Sequence, residues 1–327
     1  MVPLGRPGPA RSDFGGLAGV PRVAQWSTLD CIQRESDNVR GRTVVSSVNR
    51  VTLAGVQIDN LDEQGVINHV LEEQLARRGG WMINPNVDVL RQVHANPDLQ
   101  SLVKQADLMI ADGAPLIWAS RIRKTPLAER VPGGQLIWSL SGAAAERGIS
   151  VFLLGGNAGV AERAGVALCS RYPDLRLAGT HCPPFGFEND GEQMQAIFRA
   201  LESSSPGLVF CGLGFPKQER LMAILVNRFP SMWFIGSGAS LTMAAGDVRR
   251  APEWMQSIGL EWLYRLVQEP RRLFSRYVVH DVPFALRLML SSVRDRQSDP
   301  AIAPMVPREF DPIASESIPH KQEVDNA

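Results

Sequence analysis

The chain has 327 residues, 44% of them hydrophobic, and its 34 basic and 34 acidic side chains cancel to a formal net charge of zero. That length buries a sizeable core with room for an appendage, while the balanced charge argues against bulk nucleic-acid binding, which needs a basic surface. Cys31, Cys169, Cys182 and Cys211 form no CxxC pair, so the common zinc spacings and a disulfide framework are excluded and reduced cytosolic thiols are expected.

No apolar run reaches the roughly 18 residues of a membrane span, and the N-terminus has no apolar h-region of a secretory signal. Residues 1–50 are rich in Gly, Pro, Ser and Arg and read as a disordered extension; residues 291–327 read as a disordered tail. Between them the pattern changes. Val51 to Ile58 predicts a first strand or hairpin arm, and Leu61 to Arg78 a helix with a stripe at Val66, Ile67, Val70, Leu71 and Leu75. Trp81 to Ile83 predicts a short strand, Val87 to Gln105 a helix, and Leu108 to Ile110 a central strand followed by a helix to about Arg123. Helices are expected from Gly133, Gly159, Gly191 and Gln218, alternating with strands at Val151–Leu154, Arg176–Ala178, Leu208–Cys211 and Trp233–Ile235.

Short strands alternating with longer helices predict a Rossmann-like α/β domain over residues 51–246, a parallel sheet with helices on both faces. A helical C-terminal appendage follows over residues 247–290, interrupted at Pro252, Pro270 and Pro283. From Arg249 to Leu290 it carries seven arginines against four acids. It is either an ordinary helical cap on the sheet or a basic face for an anionic partner.

The strand ends share one chemistry. They read Asn84-Pro85-Asn86, Ala111-Asp112-Gly113, Gly155-Gly156-Asn157, Gly212-Leu213-Gly214 and Gly236-Ser237-Gly238. Glycine permits close backbone approach to a ligand, and amides opening the next helix hold phosphate, so a nucleotide-type ligand is expected across these ends. Asp112 serves either as a functional acid at a strand end or as the N-cap of the next helix. After Pro216, Lys217 can neutralise phosphate and Gln218 and Glu219 can bond sugar or base hydroxyls, or all three merely decorate a first helical turn. No Walker A loop or complete dinucleotide fingerprint is present, and no Asp-x-Asp pair offers to hold a metal. No cofactor and no metal site is expected.

With NPN at Asn84, IADGAPLIWA around Asp112, ERVPGG from Glu129, FLLGGNAG, GLGFPKQER and RAPEWMQSIGLEWLYRLVQEPRR from Arg250, the chain resembles the WecG/TagA/CpsF family, glycosyltransferase family 26, from about Val51 to Tyr277. The resemblance implies a GT-E-type α/β fold whose appendage completes the active site at the membrane surface. It implies an inverting, metal-independent hexosyl transfer from a UDP-sugar, of N-acetylmannosamine type or another hexose or uronic acid. The acceptor would be a polyprenyl-diphosphate-linked saccharide, in cell-surface polysaccharide or exopolysaccharide synthesis.

By the same resemblance Asp112 is the catalytic base, with Asn84, Asn86 and Arg130 beside it and Gln218 as a further polar position. Asn84 stands where many members have threonine, and Leu241 and Thr242 stand where members often have Phe and Asp. Gly113, Gly155, Gly156, Gly212, Gly214, Lys217, Glu219, Gly236, Gly238, Arg271 and Arg272 complete the expected substrate-binding set. The protein is expected to be cytoplasmic and peripheral on the inner face of the plasma membrane, and homo-oligomerisation stays open. One competing reading is a non-catalytic nucleotide-binding subunit of a polysaccharide assembly complex. Another, a nucleotide-sugar oxidoreductase or epimerase, is disfavoured because Tyr172, Tyr264 and Tyr277 form no Tyr-x-x-x-Lys pair.

Overall fold

The computed structural model describes residues 49–248, 250–257 and 259–295; the expected N-terminal extension to residue 48 and the tail past residue 295 lie outside them. The chain opens with an antiparallel hairpin, β1 (Arg50–Leu53) and β2 (Val56–Asp59), that stays apart from the main sheet. Helix α1 (Glu63–Leu75) follows, N-capped by Asp62, whose side chain accepts from the Gly65 amide at 2.7 Å.

Strand β3 (Gly80–Ile83) leads into α2 (Val87–Ala95) and α3 (Pro97–Val103). The single helix expected from Val87 to Gln105 is therefore two. The break falls at Asn96-Pro97, because proline has no N–H to continue the ladder, and Asn96 caps the new helix through the Asp98 and Leu99 amides. Next come β4 (Leu108–Met109), α4 (Ala114–Ile122), α5 (Gly133–Glu146), β5 (Val151–Gly155), α6 (Val160–Arg171), β6 (Leu177–His181), α7 (Gly191–Ser204), β7 (Leu208–Gly212), α8 (Lys217–Arg228), β8 (Trp233–Gly236) and α9 (Ser240–Ala244).

Six strands form one parallel sheet in the order β4-β3-β8-β7-β5-β6. The fold class is the Rossmann-like α/β architecture the alternation predicts. Strand β4 is not central, however: only two residues long, it sits at the sheet edge and pairs with β3 alone. Side chains alternate between two apolar cores, one on each face. Trp81, Phe152, Val209 and Phe234 point into one, and Met82, Leu153, Phe210 and Trp233 into the other. Both faces are covered, so the strands are continuous hydrophobic runs.

The appendage consists of α10 (Glu253–Ser257), α11 (Glu261–Gln268), α12 (Pro270–Phe274), a π-helical turn (Ser275–Asp281) and α13 (Val282–Asp295). Pro283 does not interrupt it. Proline is tolerated in a first helical turn, and the turn before it is wound as a π-helix. Helix α13 continues through Ser291–Asp295, five residues into the stretch expected to be tail. Phe284 and Leu288 join the core cluster on which α13 lies against α4, so the appendage is packed in rather than perched on the sheet.

Candidate active site

A cleft of about 590 Å³ opens at the carboxyl ends of β4, β3, β8 and β7, with the appendage as its far wall. These four strands are consecutive in the sheet, whereas β5 and β6 lie beyond them. Topology thus selects among the five strand ends. Asn84, Asn86, Asp112 and Gly113 come from the β3 and β4 ends, Gly214, Gln218 and Glu219 from the β7 end, and Gly236 and Gly238 from the β8 end.

Gly155, Gly156 and Gly212 do not line the cleft, and their geometry explains the glycines without a ligand. Gly155 has φ +120°, and a Cβ on it would stand 2.6 Å from the Gly212 carbonyl oxygen; a Cβ on Gly212 would stand 2.6 Å from Leu241. Close packing of β5, β7 and α9 requires Gly155 and Gly212, while Gly156 has φ +78° and a Cβ on it would stand 2.7 Å from Val160 at the start of α6.

Asp112 is the acid at the cleft floor. The following helix is capped at Gly113 with no side-chain bond, so Asp112 does not cap it. Its own amide donates to the Pro85 carbonyl at 3.1 Å, pinning the β4 end to the β3 end. The carboxylate instead takes a hydrogen bond from the Gly133 amide, at the start of the fourteen-residue helix α5. Enclosure by the cleft walls pushes the Asp112 carboxyl up to about 6, and the neighbouring charge of Glu261 pushes the same way. Arg130, the Gly133 amide and Arg265 pull it down. A carboxylate so poised is ionised at neutral pH and basic enough to take a proton.

Arg130 crosses the cleft to the appendage. Its Nη1 reaches Glu261 at 3.2 Å and its Nη2 donates to the Gln256 carbonyl at 3.3 Å. Asn84 donates through Nδ2 to the Val131 carbonyl at 3.4 Å, and its Oδ1 is buried without a partner, an acceptor left for a ligand. Asn86 caps α2, its Oδ1 accepting from the Val89 amide at 3.1 Å. Gln218 is a tie between loops: Oε1 accepts from the Gly214 amide at 3.2 Å and the Gly238 amide at 3.1 Å. Its Nε2 donates to Glu219 Oε1 at 2.8 Å. Glu219 is only 2% exposed, and burial pushes its carboxyl up to about 7 against the Gln218 hydrogen bond. Its Oε2 has no partner.

Lys217 faces away from the cleft. It forms a close ion pair with Glu188 and its ammonium lies 4.3 Å from the centre of the Phe185 ring. The expected phosphate neutraliser is thus already neutralised. Of the arginine pair in α12, Arg272 reaches the cleft while pairing with Glu269 at 2.5 Å, and Arg271 does not line it. Glu261, Arg265, Arg276 and Tyr277 line the cleft without having been singled out beforehand. The signal for Glu261 and Arg265 was their spacing with Trp262 in one amphipathic helix, which reads equally as surface decoration, and Arg276 and Tyr277 carried none.

Among the described residues no His, Cys, Asp and Glu side chains group in threes to hold a metal ion. None of the described helices is long and apolar enough to cross a membrane.

Fold and cleft together define a class: Rossmann-like α/β proteins that take a ligand at the carboxyl ends of their strands, here beside an acid poised for proton transfer and guanidinium groups suited to phosphate. Residues 51–298 match the model of the glycosyl transferase WecG/TagA/CpsF family, and the chain belongs to that family; it is a glycosyltransferase. Its relatives include proteins of Staphylococcus aureus strains MRSA252 and MW2, both named N-acetylglucosaminyldiphosphoundecaprenol N-acetyl-beta-D-mannosaminyltransferase. Each is 29% identical over 230 residues, covering 70% of this chain and 88% of the relative.

Proposed function

We propose that this protein is an inverting, metal-independent glycosyltransferase that moves a hexose from a UDP-sugar onto a polyprenyl-diphosphate-linked saccharide. The relatives' names, which specify an N-acetylmannosaminyl group and a lipid-diphosphate acceptor, support that substrate class. The observation that carries the chemistry is Asp112, at the floor of the cleft with its carboxyl raised to about 6.

An acceptor hydroxyl is a poor nucleophile until a positioned carboxylate takes its proton in the transition state. Asp112 takes that proton as the hydroxyl oxygen bonds the anomeric carbon from the face opposite the leaving group. The bond to the diphosphate oxygen breaks on the other face, which inverts the anomeric centre. UDP departs as an anion without needing protonation, stabilised by Arg130, Arg265 and the Gly134 amide in the first turn of α5. Asn84 and Asn86 bond sugar hydroxyls. The protein works at a membrane surface, because its acceptor stays in the bilayer.

Incubating the full chain with a panel of UDP-sugars and synthetic polyprenyl-diphosphate saccharides tests this. Release of UDP that depends on acceptor, with a β-linked product from an α-linked donor, is the expected result. UDP release independent of acceptor identifies a hydrolase and overturns the reading.

A further inference from the structure

The cleft holds a second acid. Glu261 stands at the start of α11, on the appendage, with its side chain largely buried against Arg130 at 3.2 Å. The Gln256 carbonyl, also on the appendage, takes another N–H of the same guanidinium at 3.3 Å. Arg130 itself belongs to the α/β domain, in the loop whose Val131 amide donates to Ala111 beside Asp112 at 2.9 Å. A planar guanidinium gripped at two N–H groups has one orientation and keeps its other donors for a ligand.

We propose that Glu261 is a positioning residue of the transfer reaction: from the appendage it orients the Arg130 guanidinium over the strand ends, so that the cation meeting the donor diphosphate is set only when the appendage is docked. The inference rests on the function proposed above and adds to it a residue acting through another. Arg130 is shared between Glu261 and Asp112, so what it offers a diphosphate is oriented N–H donors, and Arg265 brings further positive charge to the cleft.

Placement of Glu261 has a second consequence. The groups facing Asp112 are Glu261 and Arg265 from the appendage, and Arg130 and the Gly133 amide from the α/β domain. Glu261 is the one negative charge among these, and it favours the protonated form of Asp112. Removing that charge while keeping a hydrogen-bond acceptor leaves Arg130 oriented and makes Asp112 a weaker base.

The test uses the full chain in three forms. Glu261→Gln is expected to keep the donor KM within about threefold and to move the acidic limb of kcat/KM to lower pH, since only charge is lost. Glu261→Ala, which also loses the acceptor, is expected to raise donor KM by about tenfold or more. A purely structural role would lower the amount of folded protein without moving the pH limb, and circular dichroism reports folding separately. Asp112→Asn is the control. If it is inactive while both Glu261 variants match wild type in KM and pH limb, this inference falls and the function stands. If Asp112→Asn remains active, the function itself falls.

Discussion

Arg276, on the appendage, meets Asp88, in the first turn of α2, at 2.8 Å across the seam between the two parts of the molecule. Asp88 also makes a close ion pair with Arg91, and Arg91 reaches back to Asp281 of the π-helical turn at 3.1 Å. Acids and bases alternate across the seam, so each charge has an opposite neighbour. Exposed ion pairs are worth little, but Asp88 and Asp281 are buried and lose their partners together.

A double-mutant cycle of Asp88→Asn and Arg276→Gln should show a coupling of about 1 kcal/mol in denaturant unfolding. Either single change should also raise protease cleavage between α9 and α10, where the appendage leaves the sheet. A coupling indistinguishable from zero, with unchanged cleavage, would show that the seam is held by Leu273, Phe284 and Leu288 alone.

Asp112→Asn keeps size and the bond from Gly133 but removes the basic oxygen. Turnover should fall by a factor on the order of 10² to 10⁴ with donor affinity little changed. Stability should move the other way. The folded-state value near 6 lies above the ordinary 3.8, so the folded protein binds this proton more tightly than the unfolded chain does. That contribution is fully present below pH 3.8 and lost as pH rises through 6. The variant should therefore melt above wild type at pH 8 and level with it at pH 4, as scanning calorimetry would record. A variant less stable than wild type at pH 8 would contradict this account of the Asp112 environment.

Lys217→Met removes the ion pair with Glu188 and the contact with Phe185, both outside the cleft. Donor KM should stay within about twofold of wild type, since neither member of the pair lines the cleft. An increase of tenfold or more in steady-state KM would return Lys217 to the diphosphate site.

The α/β alternation was legible because strands buried on both faces are unbroken apolar runs, and five of the six sheet strands end in Gly, Asn or Asp, β6 being the exception. The strand-end pattern put Asp112 and Asn84 at candidate positions while leaving Asp112 open between an acid and a helix cap, and only the family resemblance gave them and Gln218 roles. Sheet order was not legible. Nothing local says that β8 inserts between β3 and β7, which is what gathers four ends and leaves Gly155 and Gly156 outside. Lys217 misled for a similar reason: its partner Glu188 is far off in sequence, and a lysine beside a glycine loop looks free. Glu261 and Arg276 were hidden because their meaning depends on how the appendage docks, a contact no periodicity encodes.

Activity should survive excess EDTA, because the proposed leaving-group stabilisation comes from Arg130, Arg265 and backbone amides. Loss of transfer on chelation, restored by manganese or magnesium, would show that a cation takes part.

The outer face of α13 gives the last prediction. Val282, Leu286, Leu290 and Val293 recur at helical spacing and are 39%, 60%, 71% and 52% exposed, while Phe284 and Leu288 on the other face are buried. Arg287 and Arg294 flank this stripe and are exposed as well. An apolar stripe edged by arginines suits a helix lying in the headgroup region of an anionic bilayer, where each basic residue adds about 1 kcal/mol. The stripe is on the appendage that walls the cleft, so docking there brings Asp112 to a lipid-linked acceptor. Leu290→Glu with Val293→Glu puts charge where the bilayer would be, and neither residue lines the cleft or the buried face. The doubly substituted chain should stay folded and transfer sugar to a short-chain, water-soluble acceptor at near wild-type rate. It should lose sedimentation with phosphatidylglycerol-containing vesicles at low salt, and with it most transfer to a bilayer-embedded acceptor. Vesicle binding equal to wild type would place the membrane contact on another face of the protein.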